Sequence, residues 1–230
     1  MEESFDYATF LELAVPFIIL AIILYVLINL ISYLLTKDKK RIKEIKDYSA
    51  KNDIVYNEDG TSFLDFAEGF SLTHLKDGRN HDWNIEQYGK RGDIEFFIVE
   101  NRYYTGVRNP SINYNTLCLL KRPDLELPYF YLKERFLYLS PSPDKGDICF
   151  SEDIAFTKKY ILRSNNESEA KAFFDNSKRK FFLNNSYISD YEIEGNDDSL
   201  LIVYGDTLDI KARMQLLETG IKILNCFNQN

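Results

Sequence analysis

Cysteine and histidine are scarce in this chain, and each shortage removes a class of chemistry. The three cysteines, Cys118, Cys149 and Cys226, are odd in number and widely spaced, with no C-x-x-C pair. That pattern supports neither a disulfide framework nor a zinc site, and in a reducing compartment it predicts three small buried hydrophobes. The two histidines, His74 and His81, lie near Asp77 and Asp82. Their spacing matches no zinc or iron pattern, and the surrounding run of Asp, Gly and Asn reads as a solvated loop. No metal and no cofactor is expected. Serine and cysteine never stand in a nucleophile-elbow context, and Gly89-Lys90-Arg91-Gly92 lacks the spacing of a phosphate loop. Glu192 and Glu194 could pair as catalytic carboxylates, but alternation with Tyr191 and Ile193 assigns them to the wet face of a hairpin. Lys178-Arg179-Lys180 reads in the same way as a solvated helix surface. No catalytic residue is nominated.

Lys and Arg are absent from the first 36 residues, where Glu2, Glu3, Asp6 and Glu12 carry the only charges. What fills that region instead is one apolar run, Leu13 to Leu35. At ~1.5 Å per residue, a helix of that length measures about 34 Å and crosses a hydrocarbon core of ~30 Å. Its Leu, Ile, Val and Phe residues contribute insertion free energy on the order of −6 kcal/mol, more than Pro16, Asn29 and Ser32 take back. An acidic start, a long core and the absence of a small-residue cleavage site set it apart from a signal peptide. The expectation is a short extracytoplasmic tail (1–12), a transmembrane helix (13–36) and a basic juxtamembrane helix (37–52).

The basic cluster after the span, Lys37, Lys39, Lys40, Arg41, Lys43 and Lys46, sets the orientation. Cationic residues flanking a span stay in the cytoplasm, so the N-terminus is expected outside a plasma (inner) membrane and the bulk of the chain inside. Lys37, Lys39, Lys40, Arg41 and Lys43 are also candidates for anionic headgroups, at about 1 kcal/mol each. Tyr25, Asn29 and Ser32 share one helical face, a candidate helix–helix contact through which the chain could form a homo-oligomer. Acidic and basic residues balance before Asp47, so the whole net charge of −8 belongs to the remainder. An acidic domain is a poor partner for nucleic acid. The bilayer and a protein are the partners expected.

From residue 53 onward the pattern alternates between strands and helices. Strands are expected at Ile54–Tyr56, Trp83–Tyr88, Ile94–Tyr104 and Thr116–Lys121, with turns at Asn57–Gly60 and Gly89–Asp93. Phe63, Phe66 and Phe70 fit a short helix ending at Gly69. Tyr160–Arg163 is a strand; Ser164-x-x-Glu167 then reads as a capping box opening a helix to about Phe182, with Ala170, Phe173, Ser177 and Phe181 inward. Tyr191–Gly195 and Leu200–Tyr204 form a hairpin. Thr207 caps a last helix whose core stripe is Ile210, Met214, Leu217, Ile221 and Leu224. The segment Lys133–Lys159 is long for a loop, includes a strand candidate at Ile148–Phe150, and is where binding is expected. The fold class is α+β, antiparallel sheet with helices packed on one side, spanning 53–230 as one domain or as two packed lobes of about 53–132 and 148–230.

Several motifs run through this order: Tyr88-Gly89-x-x-Gly92-Asp93-Ile94-Glu95, Tyr103-Tyr104-Thr105-Gly106, Leu127-Pro128-x-Phe130-x-Leu132-x-Glu134, Phe156-x-x-x-Tyr160-x-Leu162-Arg163 and Glu192-x-Glu194-Gly195. With the N-terminal helix they resemble an uncharacterised family of bacterial single-pass, membrane-anchored proteins of unknown function. The resemblance implies architecture and location, and carries over no catalytic residue. The function expected is a membrane-tethered, non-enzymatic cytoplasmic module that binds a protein or lipid partner. The alternatives are a membrane-bound hydrolase-like enzyme, and a ligand sensor signalling through a self-associating anchor.

Overall fold

The computed structural model describes residues 7–67, 70, 79–106, 111–135 and 143–228. The chain divides into two compact units, residues 1–44 and 45–230. Helix α1, Tyr7–Lys51, supplies the described part of the first unit, and its last residues belong to the second. Between Val15 and Tyr33 its apolar side chains are exposed, Phe17 and Tyr25 each at 70%. Among the described residues it is the one helix long and apolar enough to cross a membrane.

The second unit is built on one antiparallel sheet of eight strands. They are β1 (Val55–Asp59), β2 (Arg79–Arg91), β3 (Ile94–Thr105), β4 (Ser111–Lys121), β5 (Leu127–Glu134), β6 (Tyr160–Arg163), β7 (Tyr191–Asp197) and β8 (Ser199–Tyr204), in the order β1-β2-β3-β4-β8-β7-β5-β6. The early strands join the late ones where β4 pairs with β8, from Thr116↔Tyr204 to Lys121↔Ser199. Strands such as Phe96-Phe97-Ile98-Val99 are apolar on both faces because both faces are covered. Phe96, Ile98, Cys118, Leu120, Leu200 and Ile202 point to one face; Phe97, Val99, Leu117, Leu119, Leu201 and Val203 point to the other.

Helices α3 (Ile154–Lys159), α4 (Glu167–Phe173), α5 (Asn176–Asn184) and α6 (Ile210–Phe227) pack on the first face through Phe156, Ala170, Phe182, Leu216 and Leu217. Among the described residues, the opposite, helix-poor face carries the single turn α2 (Phe63–Phe66), with Phe63 stacked on Trp83 at 5.6 Å. Two glycines are dictated by geometry. Gly92 turns the β2–β3 hairpin at φ +64°, and a Cβ on Gly195 would come within 2.7 Å of the Phe130 Cζ lying across it from β5.

Local chemistry departs from the sequence expectation in several places. Asn57–Asp59 continue β1 instead of turning, and Gly89 lies inside β2. The helix after β6 is capped by Asn166, whose side chain accepts from the Glu169 amide at 3.3 Å, while Ser164 Oγ donates to the Tyr129 carbonyl at 2.6 Å. That helix stops at Phe174, and Asp175 starts α5 by accepting from the Lys178 amide. The break rotates the inner face, so Phe174 and Phe182 are fully buried while Phe173 and Phe181 are only partly so. Asp209, not Thr207, caps α6. Ile148–Phe150 forms no strand; a lone bond from the Ile148 amide to the Leu162 carbonyl sits there.

Candidate functional site

The residues singled out on α1 are exposed, except Arg41, which is partly buried. Asn29 donates its amide to the Tyr25 carbonyl at 2.8 Å, and Thr36 bonds the Ser32 carbonyl at 2.7 Å, so these polar groups are satisfied within their own helix. In the basic cluster, Arg41 pairs with Asp38 at 2.9 Å and Lys40 reaches Glu44 at 3.9 Å. Such exposed pairs contribute little to stability.

Several residues assigned to solvent prove to be buried. Arg179 is 5% exposed, stacks over the Phe150 ring at 4.3 Å and donates to the Phe174 carbonyl at 2.8 Å. Lys178 is held by Asp175 at 2.8 Å. Glu194 is fully buried, whereas Glu192 is partly exposed and accepts from the Tyr131 hydroxyl at 2.7 Å. Both faces of β7 are covered, which alternation along one strand does not reveal. Cys149 is exposed, whereas Cys118 is buried. His74 and Asp77 lie outside the described residues. His81 belongs to β2 and not to a loop: its ring stacks between Trp83 and Tyr103 at 5.7 and 5.6 Å, and its Nδ1 lies 3.2 Å from Asn101 Oδ1. Asp82 pairs with Arg102 at 2.6 Å.

In the long segment after β5, Asp147 organises the chain. Its side chain is 1% exposed and accepts from Arg135 Nη2, from Arg163 Nε (each 2.8 Å) and from the Asp144 amide at 2.9 Å. Burial alone would raise this carboxyl, but the Asp144 amide, Arg135 and Arg163 outweigh it and hold it below the usual carboxylate range. A second buried network joins the layers. Arg213 of α6, fully buried, donates to Glu100 at 2.7 Å, to Gln87 at 3.0 Å and to the Ile85 carbonyl at 3.1 Å. Gln87 in turn donates to Ser49 Oγ at 2.8 Å in the last turns of α1.

The candidate binding site is on the helix-poor face, over β3, β4, β8, β7 and β5. A cavity of about 310 Å³ opens there between Tyr103, Asn113, Asn115, Val203, Glu192 and Lys133, with Glu134, Ser189, Asp190 and Tyr191 among its further lining residues. Alternation places these side chains together: Asn113 and Asn115 precede Leu117 by four and two residues, and Glu192 lies directly opposite Val203. Asn101 faces Asn115 across the β3–β4 pairing and Tyr103 faces Asn113. Asn101 and Asn115 are 1% and 4% exposed, yet the Nδ2 of each, like His81 Nε2, has no hydrogen-bond partner among the described residues. Burial, then the charge and hydrogen bond of Glu192, push the Tyr131 phenol far up; burial and Asp190 raise that of Tyr191. Both phenols stay protonated donors at neutral pH. Asn101, Asn113 and Asn115 were not among the residues expected to form a site. The signal for this row was there in Asn113-x-Asn115-x-Leu117-x-Leu119, a polar-to-apolar switch along one face of a strand.

Among the described residues, no three His, Cys, Asp or Glu side chains converge as a metal-binding group. A second cavity, of about 410 Å³, lies beside β1 and is lined mainly by Val55, Tyr56, Phe66, Tyr88 and Phe97.

No protein-family model matches this chain, and no curated protein matches it. Among solved structures it is similar to the crystal structure of the mycobacterial trehalose monomycolate transport factor A, TtfA. The TM-score is 0.53 at 13% identity, covering 82% of this chain and 92% of that one. An identity that low establishes a shared fold, the α+β sheet architecture described above.

Proposed function

We propose that this chain is a membrane-tethered binding module. The apolar helix holds it in a bilayer by a single pass, with the N-terminus outside and the sheet domain on the cytoplasmic side. The sheet domain engages a lipid-derived or protein partner and catalyses no reaction on it. The observation that carries the reading is the pairing, in one chain, of an exposed apolar helix with a fold matched to a transport factor for a lipid, trehalose monomycolate. The absence of Lys and Arg before the apolar run and the cluster Lys37, Lys39, Lys40, Arg41 and Lys43 after it support the orientation. The same five residues would attract anionic headgroups.

The test is to express the full chain, wash the membranes with alkaline carbonate, and solubilise and purify it in a non-denaturing detergent. Co-purifying lipids and proteins are then identified by mass spectrometry. The reading expects retention in the washed membrane and a lipid or protein recovered in near-stoichiometric amount. Release into the soluble fraction, or a preparation free of any companion, would overturn it.

A further inference from the structure

The cavity on the helix-poor face restricts the chemistry of what it can hold. Asn115 Nδ2 is a donor, buried and without a partner among the described residues, so an occupant has to bring an acceptor to it. A cation brings donors only and leaves that amide unmet. An anion meets Glu134, Asp190 and Glu192 against Lys133, the single cation among the described lining residues, and Lys133 already lies 4.0 Å from Glu192. What remains is an uncharged group offering acceptors to the asparagines and donors to the carboxylates. Hydroxyl groups do both. Tyr103 adds an aromatic wall, its ring fixed by stacking on His81.

Resting on the binding role proposed above, we infer that this cavity holds an uncharged polyhydroxylated group, a sugar or the sugar headgroup of a lipid, with Asn115 donating to one of its hydroxyl oxygens. A buried amide without a partner destabilises the folded protein, and an apolar side chain of the same shape would be tolerated at least as well. Asn115 is therefore placed for a ligand and not for the fold.

The experiment uses the full chain in phosphatidylcholine nanodiscs. One arm titrates free maltose and trehalose, read by saturation-transfer NMR. The other compares nanodiscs doped with digalactosyl diacylglycerol against undoped ones, read by the fluorescence of Trp83, which stacks on His81 beside the cavity. Asn115→Leu is tested in both arms. Binding is expected in at least one arm: in the first for a free sugar, in the second alone for a lipid headgroup. Asn115→Leu is expected to weaken binding at least tenfold with an unfolding midpoint equal to or above that of the parent. The inference is overturned by no binding in either arm, by binding that Asn115→Leu leaves intact, or by an Asn115→Leu chain that no longer folds. Those failures are separate from failure of the module itself, which is decided by membrane retention and co-purification.

Discussion

Arg213 makes the strongest energetic prediction. It is a cation on a helix face, fully buried, joined to Glu100, Gln87 and the carbonyl of Ile85. Ile85 sits at φ +54°, a left-handed conformation strained for a β-branched residue by about 1–3 kcal/mol, at the bulge between Asn84 and Gln87. Replacing Arg213 by Met keeps most of the volume but deprives Glu100 of its guanidinium and Ile85 of a donor. Breaking a buried ion pair on one side costs about 3–5 kcal/mol. Domains of this kind are stable by only about 5–15 kcal/mol. With a urea slope of roughly 2 kcal/mol per molar, the midpoint should fall by about 2 M. The assay is urea unfolding of the full chain in detergent, followed by the lone tryptophan, Trp83. Arg213→Met/Glu100→Leu should be less destabilised than Arg213→Met alone, because no buried carboxylate is left behind. A loss below about 1 kcal/mol for Arg213→Met, or additive single effects within ~0.5 kcal/mol, would refute the mutual dependence.

Three further outcomes are expected. A membrane-impermeant maleimide should label exposed Cys149 only after cells are opened, since burial raises the thiols of Cys118 and, to about 11, of Cys226; labelling of intact cells would place the domain outside. Asp147→Asn should cost about 3–5 kcal/mol at pH 7 by removing the carboxylate that pairs with both Arg135 and Arg163. The lowered carboxyl adds stability above its unfolded value near pH 4 and loses it as pH falls through the lower folded value. The gap between parent and variant should therefore narrow below about pH 4, and an unchanged gap in acid would count against the clamp. Gly195→Ala should destabilise by about 1–3 kcal/mol because Phe130 occupies the space of the new Cβ, and a neutral result in thermal melts would show that the ring can move.

The amino-acid sequence by itself determined the features that repeat along a single element. Twenty-odd apolar residues without a charge make one long exposed helix, and strands such as Ile94–Thr105 declare themselves by residue type and length. The α+β order followed from these. What the tertiary structure decided is which polar residues are hidden. Arg179 and Glu194 sit at positions that local periodicity assigns to water, yet a neighbouring layer covers both, and Arg213, a charge on the core stripe itself, finds its partner in Glu100, 113 residues away. The candidate site belongs to the same category. Asn115, Tyr103, Lys133 and Glu192 converge only because β4 pairs with β8 and β7 with both β8 and β5, and strand order is a long-range choice that no window of sequence contains.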